Sequence, residues 1–291
     1  MGVLRGRRVG ATSGVQRTVG RWLLYALLTA VCALMALPIV WAFVSSLKPL
    51  EEVYSFPPEL SLSRPQWSNY REALVRLPAA RFLANSMLIA CVSVAGAVLT
   101  SSMTGYILAR GRFRGKRLCL ILVIASMLIP APVLLVPRFL LFDLLGWVDT
   151  YKPLIVPAWL GGGAFNIFLF RQFFRAIPRE FDDAAHLDGA TMWQTYWHIL
   201  LPMARPAAVT AALLSFVYHW QDFLDPLIYL SDFNRYPMSL GLRMYQSMAG
   251  TWANLLMAAS LIALIPVVIA FFLCERHIMR GLGVITRATH R

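Results

Sequence analysis

Residues 82–109 read FLANSMLIACVSVAGAVLTSSMTGYILA, a stretch of 28 without one charged side chain, bounded by Arg81 and Arg110. About 20 apolar residues carry a helix across a bilayer, and a charge at that depth is expensive. The stretch lacks the ten-residue alternation of barrel strands, so it predicts a membrane-spanning helix. Four further charge-free runs are of similar length: Trp22–Leu47, Leu118–Pro137, Pro153–Phe170 and Met244–Cys274. A shorter one, Pro206–Gln221, is expected to continue past Asp222 and Asp225 toward Leu230. Backbone groups in lipid must be satisfied within each segment. The expected fold is therefore all-α, a polytopic membrane protein with six transmembrane helices.

Composition agrees. Of 291 residues, 58% are hydrophobic and 14% charged, against about 25% charged in a soluble domain. Most soluble enzyme classes are excluded on this ground.

The basic residues set the orientation. Segments 1–21, 110–117, 171–205 and 275–291 carry 18 basic and 5 acidic residues, which is the whole net charge of +13. The alternate segments carry 9 of each. Both termini are thus expected in the cytoplasm. The chain divides into a basic N-terminal tail (1–21), a transmembrane domain (22–275) with a cytoplasmic loop at 176–205, and a C-terminal tail (276–291). The basic residues flank spans instead of forming one patch, so they do not predict nucleic-acid binding. The first run is too long for a cleaved leader and is expected to remain as the first span.

Catalytic chemistry is missing. Gly111–Lys116 has one residue too few for a phosphate loop and no following Ser or Thr for magnesium. Cys32, Cys91, Cys119 and Cys274 form no Cys-x-x-Cys pair and are expected in helix packing. The five histidines form no metal pattern, so neither a catalytic nor a metal site is expected. Mid-span charge is nearly absent, and no inverted repeat or Gly/Pro-broken helix pair is visible, which argues against an ion-coupled carrier. Energy for transport would come from another subunit.

The loop between the fourth and fifth spans is the most informative. Ile177–Gly189 reads IPREFDDAAHLDG. Pro178 suits a helix start, and Glu180, Asp182 and Asp183 favour the positive end of its dipole. Gly189 can take the left-handed conformation that ends a helix. Phe181, Ala184 and Ala185 share one face. Thr191 and Gln194 form a capping box for a second helix running to Ile199, and Pro202 turns the chain into the fifth span.

The spacing Asp183-Ala184-Ala185, three residues, Gly189, nine residues, Ile199, one residue, Leu201-Pro202 resembles the signature loop of ABC importer permeases. That signature is Glu-Ala-Ala, three, Gly, nine, Ile-x-Leu-Pro, and only Asp183 departs from it. The resemblance extends over about residues 22–283 to the maltose-type sugar permeases, and to the shorter, six-span member of the pair. Its landmarks here are Asn85-Ser86, Tyr106–Lys116, Ile129-Pro130, Phe168–Gln172, Trp220–Leu224, Pro226-Leu227 and Arg276–Gly281. The tail Gly283–Arg291 departs from the family's usual end.

The resemblance implies a permease subunit in the bacterial plasma (inner) membrane, forming half of a path for a sugar or oligosaccharide. It implies a second, homologous permease subunit, two ATPase subunits below, and an extracytoplasmic solute-binding protein. ATP and magnesium would belong to the ATPase, leaving this chain without a cofactor. Asp183, Ala184, Ala185, Gly189, Ile199, Leu201 and Pro202 would couple the chain to the ATPase. Asn85, Trp220, Gln221, Asp222 and Asp225 are candidates for the solute path, since an aromatic face beside hydrogen-bonding groups suits a sugar. Two other readings stay open: a self-sufficient channel or secondary carrier, and an importer of a non-sugar solute such as glycerol-phosphate. Ser93, Ala97, Ser101 and Gly105 recur at intervals of four, as a packing stripe or a sliding interface. Lys48–Arg81 is expected to cover the outer mouth, and Ser231–Trp252 resembles the loop that reaches toward the binding protein.

Overall fold

A computed structural model describes residues 14–57, 61–62, 64–246 and 252–288, with side chains between 20 and 276. The far N-terminal residues 1–13 and the last three, 289–291, lie outside the described residues. Among the described residues every regular element is helical.

The order begins with α1 (Gly14–Ser46), α2 (Leu50–Val53), α3 (Ser68–Arg76) and α4 (Ala79–Arg110). It continues with α5 (Lys116–Met127), α6 (Leu135–Leu144), α7 (Lys152–Trp159) and α8 (Ala164–Ala176). Then come α9 (Glu180–Leu187), α10 (Met192–Thr195), α11 (Leu201–Met203), α12 (Arg205–Gln221), α13 (Leu224–Tyr229), α14 (Met238–Met244) and α15 (Ala253–Ala288). Among the described residues four segments are long and apolar enough to cross a membrane, and up to six if each of two bent pairs counts as one span.

α4 is the central post. It packs on α7, α8, α12 and α14, while α15 packs on α1, α3 and α12. The small-residue stripe explains why α4 can hold so many neighbours. Ser93, Ala97, Ser101 and Gly105 are all buried. A Cβ at Gly105 would come within 2.7 Å of Phe170 Cβ and 2.9 Å of the Arg171 nitrogen. In lipid there is little hydrophobic drive between helices, so close van der Waals contact must hold them.

Two spans are interrupted, at Pro130 and at Gly161–Gly163, which corrects the reading that no Gly/Pro-broken helix pair is present. α5 meets the segment Ala131–Leu144, which contains α6, at 99° across Leu128–Pro130. Pro130 has no N–H to continue the helix, and Ala131–Leu134 form a 3-10 turn. In the fourth span Gly161, Gly162 and Gly163 all have positive φ, at 136°, 69° and 85°. Only glycine enters that region without strain. The backbone there passes so close to the Ala97 carbonyl that Gly162 could carry no Cβ.

The fifth span is corrected as well. α12 does not continue to Leu230; it stops at Gln221, where Asp222 is extended (ψ 120°), and α13 follows. Its other end bends by 75° from the Met192–Met203 segment. The sixth span begins at Ala253, well after Met244, and its helix runs on through the expected C-terminal tail to Ala288. The loop 48–81 is itself folded: buried Asn69 of α3 donates to the Ser46 and Lys48 carbonyls at 2.9 and 3.0 Å. The cysteines are corrected too. Cys32, Cys91 and Cys119 are free and exposed on the chain's surface, not packed between helices.

Candidate functional site

The loop after α8 forms a helical hairpin. In α9, Glu180, Asp182 and Asp183 occupy the first turn, as their charge against the helix dipole dictates. Pro178 lies just ahead of the helix, not in it. Gly189 has φ 80°. The Ala190 N–H donates to Ala185 O at 2.9 Å and the Gly189 N–H to His186 O at 3.0 Å, a Schellman closure. The Thr191–Gln194 capping box is present. Tyr196–Leu200 then form a π-helical turn, with the Leu201 N–H reaching back to Tyr196 O. Pro202, two residues on from that turn, has no N–H to restore α-helical bonding to His198.

The hairpin is fastened to the end of α4. Arg110 Nη2 donates to Ile177 O at 2.6 Å, and Arg110 Nε stands 3.2 Å from Asp182 Oδ2. Those two atoms make no hydrogen bond, so the second contact is ionic alone. Tyr106 Oη donates to Met192 O at 3.0 Å, and the Tyr196 and Ser102 hydroxyls meet at 2.7 Å. Beneath them Tyr106, Phe170, Phe174, Tyr196 and Leu200 form one buried cluster. Ile199 and Leu201 pack against it.

The face left open differs from the expected one. Ala185 is 3% exposed, turned inward on the bundle. Phe181, Asp183 and Ala184 are exposed, and Leu187 is 90% exposed. The exposed residues of α9 are therefore Glu180, Phe181, Asp183, Ala184, His186 and Leu187. The pairing of Arg110 with Asp182, which holds the hairpin, escaped the sequence reading: Arg110 stood there as a flanking charge within the landmark Tyr106–Lys116 and Asp182 as a helix-dipole charge, and nothing in their spacing reveals a contact across 72 positions.

The five candidate path residues do not converge. Asn85 donates to the Asn234 and Tyr236 carbonyls at 2.9 and 3.0 Å, so it anchors a loop at the opposite end of α4. Trp220 is buried, stacks on Phe216 and donates from Nε1 to Ala263 O at 3.1 Å. It joins α12 to α15. Trp220 and Gln221 border one recess, which Ser239, Arg243 and Gln246 also line. Asp222 and Asp225 open into a different one.

That second cavity holds about 520 Å³ between α6, α7, α8 and α12, and Ala97 of mid-α4 forms part of its wall. Arg138 Nη2 pairs with Asp225 Oδ2 at 2.9 Å. The Asp225 N–H donates to Asp222 Oδ1 at 3.3 Å. Asn166 Nδ2 donates to Ser215 Oγ at 2.9 Å and Gly162 O at 2.8 Å. Tyr218 and His219 complete the polar side. Arg138 had a visible signal: it is the only charged residue between Leu118 and Phe142.

At the Ala79 end of α4 a clasp joins two loops. Asp149, with φ 58°, donates its N–H to Tyr229 O at 2.7 Å. Its Oδ1 accepts from the N–H groups of Asp232 and Ser231 at 2.9 and 3.0 Å, and its Oδ2 pairs with Arg235 at 3.0 Å. The backbone donors, Asp232 first and then Ser231, hold this carboxyl below the usual carboxylate range.

A membrane-crossing bundle with broken spans, a cavity lined in part by charged side chains and a capped hairpin pinned at one end defines a membrane transport permease. The chain belongs to the family described as binding-protein-dependent transport system inner membrane component, which matches residues 101–283. It is 34% identical over 200 residues to the arabinooligosaccharides transport system permease protein AraQ of Halalkalibacterium halodurans, covering 69% of this chain and 71% of that one. It is 28% identical over 269 residues to the diacetylchitobiose uptake system permease protein NgcG of Streptomyces coelicolor, covering 92% and 88%. In fold it is similar to a chain of a bacterial ABC transporter involved in the import of the acidic polysaccharide alginate, with TM-score 0.77, 24% identity and coverage of 92% and 99%.

Proposed function

We propose that this chain is one of two homologous permease subunits of a binding-protein-dependent ABC importer for a sugar or oligosaccharide. Its place is the bacterial plasma (inner) membrane, both termini in the cytoplasm, as the one-sided charge of +13 requires. The names of the relatives, arabinooligosaccharides and diacetylchitobiose, support a carbohydrate.

One observation carries the coupling role: the hairpin is pinned to α4 on one face while Phe181, Ala184 and Leu187 stand exposed on the other. A short helix so held moves with the span as a rigid body. Two ATPase subunits, which hold ATP and magnesium, receive this face in a cleft. Gly189 closes the helix, and Ile199, Leu201 and Pro202 set its angle to α12. A solute-binding protein delivers its cargo at the opposite end.

The test is reconstitution in vesicles with the co-encoded permease, ATPase and binding protein. ATP-driven uptake of labelled oligosaccharide that requires all four components is expected. Uptake by this chain alone, without ATP, would establish a channel or carrier instead.

A further inference from the structure

The cavity between α6, α8 and α12 has a charge balance with consequences for what can enter it. Its strong cation, Arg138, is already engaged by Asp225 at 2.9 Å, and its guanidinium also lies over the Tyr229 ring at 6.0 Å. Asp222 adds a second carboxyl within hydrogen-bond reach of the Asp225 backbone. With both carboxyls ionised and His219 neutral, Arg138, Asp222 and Asp225 on the wall sum to one negative charge. Charged groups within a membrane protein face its interior or a cavity and pair with one another, as Arg138 and Asp225 do.

We propose that this cavity is a solute subsite that accepts neutral polyhydroxylated compounds and rejects anions. The inference rests on the reading of the chain as a carbohydrate permease and adds a charge filter to it. About 520 Å³ lies within the range of ligand sites, roughly 300–1,000 Å³. Asp225 and Asp222 offer acceptors to sugar hydroxyls. Asn166 Oδ1 can accept, both of its N–H donors being used within the protein, while Ser215 and Tyr218 can donate or accept. The Tyr218 ring, exposed beside them, gives an apolar surface for a sugar face. An acidic sugar would have to displace Asp225 from Arg138 and would still meet Asp222. In a low-dielectric surrounding that repulsion is strong.

The experiment uses the full permease–ATPase complex in nanodiscs, without binding protein, so that delivery does not mask the subsite. The probes are cellobiose and cellobiouronic acid at neutral pH, which differ by one carboxylate. Saturation-transfer NMR is expected to show cellobiose bound and cellobiouronate about tenfold weaker. Asp225→Asn frees Arg138 and is expected to bring the two probes within about threefold of each other. Asp222→Asn leaves the ion pair intact and is expected to raise the cellobiouronate signal about threefold, which keeps the test alive if Asp225→Asn does not assemble. Equal binding of both probes by the parent, or an unchanged ratio in the variants, overturns the filter. If neither probe binds while binding-protein-dependent sugar uptake proceeds, the subsite is wrong and the permease reading stands. If the probes are discriminated but the complete system takes up no carbohydrate, the filter stands and the carbohydrate assignment falls.

Discussion

Arg110 at the end of α4 holds Asp182 of α9 at 3.2 Å, with both side chains largely buried, and the same guanidinium binds the Ile177 carbonyl at 2.6 Å. The hairpin is therefore fastened to α4 by one side chain that grips both its entry strand and its first turn. Replacing Arg110 by Ala leaves the Asp182 carboxylate without a counter-charge. A loss of about 3 kcal/mol in stability is expected, as for breaking a buried pair. Denaturant unfolding of the purified complex measures it. In vesicles, ATP hydrolysis should persist while uptake falls, because the hairpin no longer carries α4 with it. Uptake at the parental rate would remove Arg110 from the coupling path.

Gly189 carries a different burden. Its φ of 80° excludes proline and strains any residue with a Cβ, although a Cβ there would meet nothing within 4 Å. Gly189→Ala is expected to cost about 1–2 kcal/mol from backbone strain alone. Gly189→Pro should also abolish the bond from the residue 189 N–H to His186 O, and with it ATPase pull-down and transport. Six-span insertion and docking of the binding protein should survive, since both lie elsewhere.

Two adjacent alanines should separate folding from docking. Ala185 is buried and Ala184 exposed. An indole at Ala185 overfills the contact between hairpin and bundle, a loss of typically 1–3 kcal/mol. An indole at Ala184 leaves the chain's own packing intact and stands in the path of a partner. Ala184→Trp should keep the parental melting temperature and lose ATPase co-purification. Ala185→Trp should lower the melting temperature first. If Ala184→Trp assembles and transports normally, the exposed face of α9 is not the docking face.

The Asp149 clasp predicts a pH dependence. Its folded carboxyl is held below the usual carboxylate range, chiefly because the Asp232 and Ser231 N–H groups stabilise the charged form. A depressed folded value means that the stabilisation is complete above the unfolded value and is lost as pH falls through the folded one. Protection factors at residues 230–236, taken relative to intrinsic exchange at each pH, should therefore be high at pH 6 and fall below about pH 4. Asp149→Asn tolerates the positive φ but lacks the charge, and should remove the pH response. A response that survives Asp149→Asn would place its origin in another acid.

Hydropathy, charge and spacing are properties of the chain in one dimension, and what depends on them was legible. The charge-free run before Arg110 became α4. The interval from Asp183 to Pro202 identified the hairpin, and the Thr191–Gln194 box and the Gly189 cap follow from local stereochemistry alone. The breaks were half legible. Pro130 and Gly161–Gly163 are plain in the sequence, yet whether such residues bend a span or are absorbed depends on neighbours that compensate the lost hydrogen bonds. What only the tertiary structure decided is which way side chains point and whom they meet. Trp220 turned to Ala263 and Asn85 to the loop at Asn234, in separate parts of the bundle. Ala185 turned inward while Ala184 stayed out. Arg138 found Asp225 across 87 positions, and Arg110 found Asp182 across 72. A helix presents every third or fourth residue to the same side, but its rotation about its own axis is set by packing against other helices, and no local sequence signal encodes that angle.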